Sequence, residues 1–92
     1  MTLYDIEQKM RKKFLFKKCR RRGSMSGGSE TTYDNDGTPT VRIISGPEFK
    51  KVVDIKMNGQ PSGWYWTAEF TYEDDSISGL FERMSDVEIK EE

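Results

Sequence analysis

Residues 64–72 run Trp64-Tyr65-Trp66-Thr67-Ala68-Glu69-Phe70-Thr71-Tyr72, and this stretch decides the fold class. Apolar residues fall on every second position, which is the period of a strand with one buried face. Trp64, Trp66, Ala68, Phe70 and Tyr72 form the expected core face, while Tyr65, Thr67, Glu69 and Thr71 form the expected solvent face. Tyr65 is then a candidate for stacking or for an interface, because its ring carries apolar area and a polar tip. Upstream, Asn58–Gly63 is a turn, and Phe49 to Met57 reads as the strand before it. Further upstream, Thr31-Thr32-Tyr33 and Thr40 to Ser45 flank Asp34-Asn35-Asp36-Gly37, a dense hairpin signal. Downstream, Asp74-Asp75 turns the chain into an expected strand over Ser76 to Met84, and Val87 to Ile89 is a last short strand. Four or five short antiparallel strands at this spacing suggest a small barrel or rolled sheet.

The N-terminal third follows a different period. Leu3, Ile6, Met10 and Phe14 are spaced by three, four and four, an apolar stripe of helical repeat. Thr2 can cap this helix, with Asp5 in its first turn where an acid suits the helix dipole, and Glu7 with Arg11 is a favourable i,i+4 pair. Basic residues continue through Arg22 and Gly23 can end a helix, so the expected helix covers 1–22. Residues 23–30, rich in Gly and Ser, read as a flexible linker, and 31–92 as the β domain of one folding unit. The fold class is therefore mainly β within α+β: an amphipathic N-terminal helix on a small antiparallel barrel or rolled sheet.

With 92 residues the chain is long enough for one domain with a modest core. Its aromatic content, 12%, distinguishes it from a disordered chain of equal polarity. Histidine is absent and Cys19 is alone, which removes the common zinc sites, His-based catalysis and an internal disulfide. Gly23 and Gly28 have P-loop spacing, but Ser29-Glu30 stands where Lys-Ser/Thr is required. Asp34-x-Asp36 lacks the Glu that closes a calcium loop, because Ser45 stands there. The expectation is a protein without enzymatic activity, metal, cofactor or small-molecule substrate. No apolar run approaches the ~20 residues that span a bilayer, and no secretory leader is evident, so a reducing cytoplasmic setting is expected.

Tyr65-Trp66-Thr67-Ala68, then Gly79-Leu80-Phe81, then Val87-Glu88-Ile89 together resemble the second half of Src-homology-3 domains. There, a Trp-Trp-x-Ala strand leads through a tight hairpin to Gly-Leu-Phe-Pro-x-Asn-Tyr-Val. Thr2-Leu3-Tyr4-Asp5-Ile6 is similar to that family's Ala-Leu-Tyr-Asp-Tyr, and Phe16-Lys17-Lys18 falls where it has Phe-x-Lys-Gly. The peptide-groove residues Pro-x-Asn-Tyr are replaced by Glu82-Arg83-Met84-Ser85-Asp86, and the acidic loop of the family is basic here. The resemblance implies a small barrel, equally similar to Tudor-like ones, and does not carry proline-ligand binding with it. It would place Leu3 to Phe14 in strand and loop, against the helical stripe and cap.

Charge supplies the functional candidates. Met1 to Arg22 holds nine Lys or Arg against two acids, and Thr67 to Glu92 holds nine acids against two bases. The basic set Lys9, Arg11, Lys12, Lys13, Lys17, Lys18, Arg20, Arg21 and Arg22 suits phosphate contact through charge and counterion release, without reading sequence. Phe14 and Phe16, where exposed, can stack on bases. Arg20, Arg21 and Arg22 have no evident packing role in the sequence. The partner expected first is nucleic acid, RNA or DNA; an acidic protein surface fits the same residues. The alternative is a protein–protein module using its acidic half, with Glu73, Asp74, Asp75, Glu82 and Asp86 as the interface. Such a patch can mimic nucleic-acid phosphates, in the manner of small phage-encoded inhibitors, which this chain resembles in size. The bland expectation for these acids, Glu69 among them, is a solvated surface.

Overall fold

The helix begins where its cap predicts. In the computed structural model, which describes residues 1–24 and 26–91, α1 covers Leu3–Phe14. Thr2 and Asp5 form a reciprocal capping box: the Asp5 N–H donates to the Thr2 hydroxyl (3.2 Å) and the Thr2 N–H donates to the Asp5 carboxylate (3.0 Å). Ile6, Met10 and Phe14 are buried, so the apolar stripe is the packed face. Gly63, at φ +81°, lies so close that a Cβ there would sit 2.3 Å from the Met1 carbonyl. Together with the Leu3 N–H donating to the Pro61 carbonyl (3.0 Å), this holds the helix start against a turn of the sheet.

The helix stops at Phe14, which corrects the expected helix over 1–22. The next positions on the stripe are Lys17, Lys18 and Arg21, so nothing apolar remains to bury by continuing. Leu15 turns extended and Phe16 takes a left-handed conformation, φ +65°. Strand β1 follows at Lys18–Arg21, with Cys19 fully buried and Lys18 exposed. Gly23 therefore turns the chain after a strand instead of ending a helix.

The remaining elements are β2 (Gly28–Tyr33), β3 (Pro39–Ile44), β4 (Lys50–Gly59), β5 (Trp66–Tyr72), a 3-10 turn (Met84–Asp86) and β6 (Val87–Ile89). One antiparallel sheet has the order β5-β4-β1-β6, and β2 with β3 forms a separate two-stranded hairpin. Thus β2 starts within the stretch read as linker, pairing Gly28 with Ile44. The Asp34–Gly37 turn closes this hairpin as expected. Ser76 to Met84 is not a continuous strand: Ile77 bridges Thr71 and Ile44, Phe81 bridges Ala68, and the chain then enters the 3-10 turn. Residues 77–81 lie along the outer edge of β5 and lead through the 3-10 turn into β6 on β1. Among the described residues the strands do not close into a barrel.

The core lies between α1 and the sheet, built from Met10, Phe14, Cys19, Val52, Ile55, Ala68, Phe70, Tyr72, Phe81 and Val87. Phe70 anchors it, with Phe14 at 5.4 Å and Phe81 at 5.0 Å between ring centroids. The alternation in residues 66–72 holds for Ala68, Phe70 and Tyr72, but Trp64 lies outside the strand, in the turn, and is exposed. On the opposite face Glu69 is buried, against expectation, and Arg42 of β3 forms an ion pair with it. No helix among the described residues is long and apolar enough to cross a membrane.

Candidate functional site

The ion pairs sort the basic residues into committed and uncommitted groups. Arg20 on β1 donates to Glu88 on β6 (2.7 Å) and to the Pro47 carbonyl (2.9 Å), with its guanidinium 4.3 Å from the Phe49 ring centroid. Arg22 donates to the other Glu88 oxygen (2.7 Å) and to the Ser85 carbonyl (3.1 Å). The Arg20 hydrogen bond, reinforced by both guanidinium charges, holds the Glu88 carboxyl below the usual carboxylate range. Arg20 and Arg22 consequently have a clear packing role, correcting the sequence reading of 20–22; Arg21 alone is exposed and unpaired among the described residues. Arg11 is turned inward on α1, reaching Asp54 (3.5 Å), the Ile55 carbonyl (3.3 Å) and Glu7 (4.0 Å).

The lysines behave differently. Lys18 on β1 stands directly opposite Lys51 on β4, and on its other side the Lys90 N–H donates to the Lys18 carbonyl (2.8 Å). Three ammonium-bearing residues thus lie abreast, on β4, on β1 and just past the end of β6, at a chain spacing of about 4.8 Å. All three side chains are exposed, and neither they nor Lys17 make an ion pair among the described residues. Like charges directly opposite destabilise a strand pair. Glu73 adjoins the row, its N–H donating to the Lys51 carbonyl (3.0 Å), yet its carboxylate pairs with none of these lysines.

Phe16 completes the site. It is 65% exposed at φ +65°, a conformation costing a bulky residue about 1–2 kcal/mol. Its N–H donates to the Val52 carbonyl (2.7 Å), and the Val52 N–H donates to the Lys17 carbonyl (3.0 Å), pinning the loop to β4. Phe16, Lys17, Lys18, Lys51, Ile89 and Lys90 line a surface depression of about 350 Å³. Lys9, Lys12 and Lys13 remain exposed on α1, and Phe14 is spent in the core.

The acidic candidates do not gather into one unsatisfied patch. Asp74 pairs with Lys50 and accepts from Ser76, and these hydrogen bonds, the Lys50 one foremost, hold its carboxyl well below the usual range. Asp86 pairs with Arg83 (3.2 Å), while Glu73, Asp75 and Glu82 are exposed without ion pairs among the described residues. Tyr65 is half exposed, as expected, beside the more exposed Trp64. No three His, Cys, Asp or Glu among the described residues converge as a metal would need.

Sequence reading missed Lys51 and Lys90. Both lie outside the N-terminal basic run, Lys51 beside Lys50 and Lys90 among acids, and only register brings them to Lys18. Compared with known protein families, curated proteins and solved structures, the chain finds no match.

Proposed function

We propose that this protein is a non-enzymatic binding module that contacts nucleic acid through phosphates, without strong sequence specificity. The observation that carries this reading is the row Lys51-Lys18-Lys90, abreast and without an ion pair among the described residues. Mutual repulsion in such a row is relieved by an anion that spans it, and a phosphate backbone is a polyanion able to do so. Lys17 flanks the row in the same depression, while the exposed helix lysines Lys9, Lys12 and Lys13 belong to α1, which packs on the other face of the sheet. The basic interface is therefore a sheet face with its flanking loop, in place of one continuous basic helix. The order in which residues 77–81, the 3-10 turn and β6 follow β5 supports a Src-homology-3-like or Tudor-like arrangement as the scaffold. The alternative, an acidic interface, has less support, since Asp74 and Asp86 are held by Lys50 and Arg83.

Salt titration of nucleic-acid affinity tests the reading. Log affinity is expected to fall linearly with log salt. Replacing Lys18, Lys51 and Lys90 with Gln should shrink that slope by roughly 2–3. An unchanged slope in the triple variant would show that phosphates bind elsewhere or not at all.

A further inference from the structure

We infer that the depression beside the lysine row takes a nucleotide of a single-stranded nucleic acid, its base stacked on Phe16 and its phosphates on Lys18, Lys51 and Lys90. The inference rests on the reading that the lysine row binds nucleic acid, and adds which form of nucleic acid and by what contact. A left-handed backbone position between a helix and a strand is one that glycine ordinarily fills, because any Cβ is strained there. Here the position carries Phe16, and the ring gains little from burial, being 65% exposed. Neither backbone preference nor core packing accounts for an aromatic at that point.

What the strained backbone does achieve is placement. The hydrogen bonds through Val52 fix Phe16 at the end of β4 nearest Lys51, and its ring shares the depression with Lys17, Lys18, Lys51, Ile89 and Lys90. An exposed ring beside ammonium groups is the pairing that single-strand binders use: the charges track the backbone and the ring stacks on a base. Bases of a duplex are already stacked on one another and offer no free face. The depression, about 350 Å³, is of a size for one base with its sugar, and so accepts one unstacked nucleotide.

The test uses fluorescence anisotropy at fixed low salt with three probes: labelled oligothymidylate, a labelled duplex of matched length, and labelled inorganic polyphosphate. Phe16→Gly is the informative variant, since glycine suits φ +65° and the fold should hold or gain stability, checked by thermal melting. Oligothymidylate affinity is expected to fall about 5- to 150-fold, the loss of one base–aromatic stack. Duplex and polyphosphate binding should stay within about twofold, because neither presents a free base to the ring. Oligothymidylate affinity unchanged in Phe16→Gly, with the wild type binding all three probes, would overturn the stacking while leaving the lysine row in place. An equal loss for polyphosphate would also overturn it, by showing that Phe16 acts only on the shape of the lysine row. A wild type that binds none of the probes would overturn both this inference and the function on which it rests.

Discussion

The helix with its four-stranded sheet and the β2–β3 hairpin are built on opposite economies. In the first region the side chains of Met10, Phe14, Cys19, Val52, Ala68 and Phe70 are at most about one per cent exposed. In the second, every residue of β2 is exposed, and Tyr33, Val41 and Ile43 leave large apolar side chains in water. A two-stranded hairpin is marginal alone in water. This one is tethered by the backbone bridge between Ile44 and Ile77 and by the Arg42–Glu69 ion pair. The difference teaches where stability resides: α1 and the main sheet supply rigidity, and the lysine row proposed to bind phosphates stands on the outer face of that rigid sheet. The hairpin can loosen without disturbing it.

The largest effect should come from the packed region. Phe14→Ala removes a ring that touches Phe70 in a sealed core and should cost about 3–5 kcal/mol, read by chemical denaturation. A cost under about 1 kcal/mol would break the contrast. Arg42→Ala comes next, since it strands the buried Glu69 carboxylate. A loss of about 2–4 kcal/mol is expected, below the upper range for a fully buried pair because Arg42 keeps some water contact. Amide exchange should show the hairpin opening first in this variant.

A smaller effect follows from pH. Burial raises the Cys19 thiol to about 11, so folding keeps it protonated where an unfolded thiol, near 8.5, would ionise. The unfolded chain then binds fewer protons than the folded one, and stability falls as pH rises between those values. Burial raises Tyr72 in the same direction. Denaturation midpoints from pH 8 to 11 should decline less steeply in Cys19→Ala than in the wild type. The smallest effect belongs to the hairpin surface: Val41→Thr should change stability by less than about 0.5 kcal/mol. A large loss in a dilute sample would show that this apolar side is covered in solution.

Much of the fold is legible in the residues themselves. The Thr2–Asp5 box, the stripe from Leu3 to Phe14, the turn at Asp34–Gly37 and the alternation of Ala68, Phe70 and Tyr72 are local signals. Each depends on neighbours within a few residues, so the sequence carries them whole. The stripe also contained its own end, since Lys17 and Lys18 break it, but the run of basic residues through Arg22 masks that boundary. Ser76 to Met84 has strand composition, yet two isolated bridges and a 3-10 turn divide it.

The chain's own letters determined a basic N-terminal third, an acidic C-terminal third, one helix and several short strands. Tertiary structure decided which of those charges are available. Arg20 and Arg22 are spent on Glu88, Arg42 on Glu69 and Lys50 on Asp74, while Lys18 meets Lys51 and Lys90 from strands distant in sequence. The physical reason is that cross-strand neighbours are set by register, which depends on how a whole sheet buries its apolar face. The same register buries Cys19 in the middle of a basic run and leaves Trp64 in water beside a strand whose other aromatics are packed.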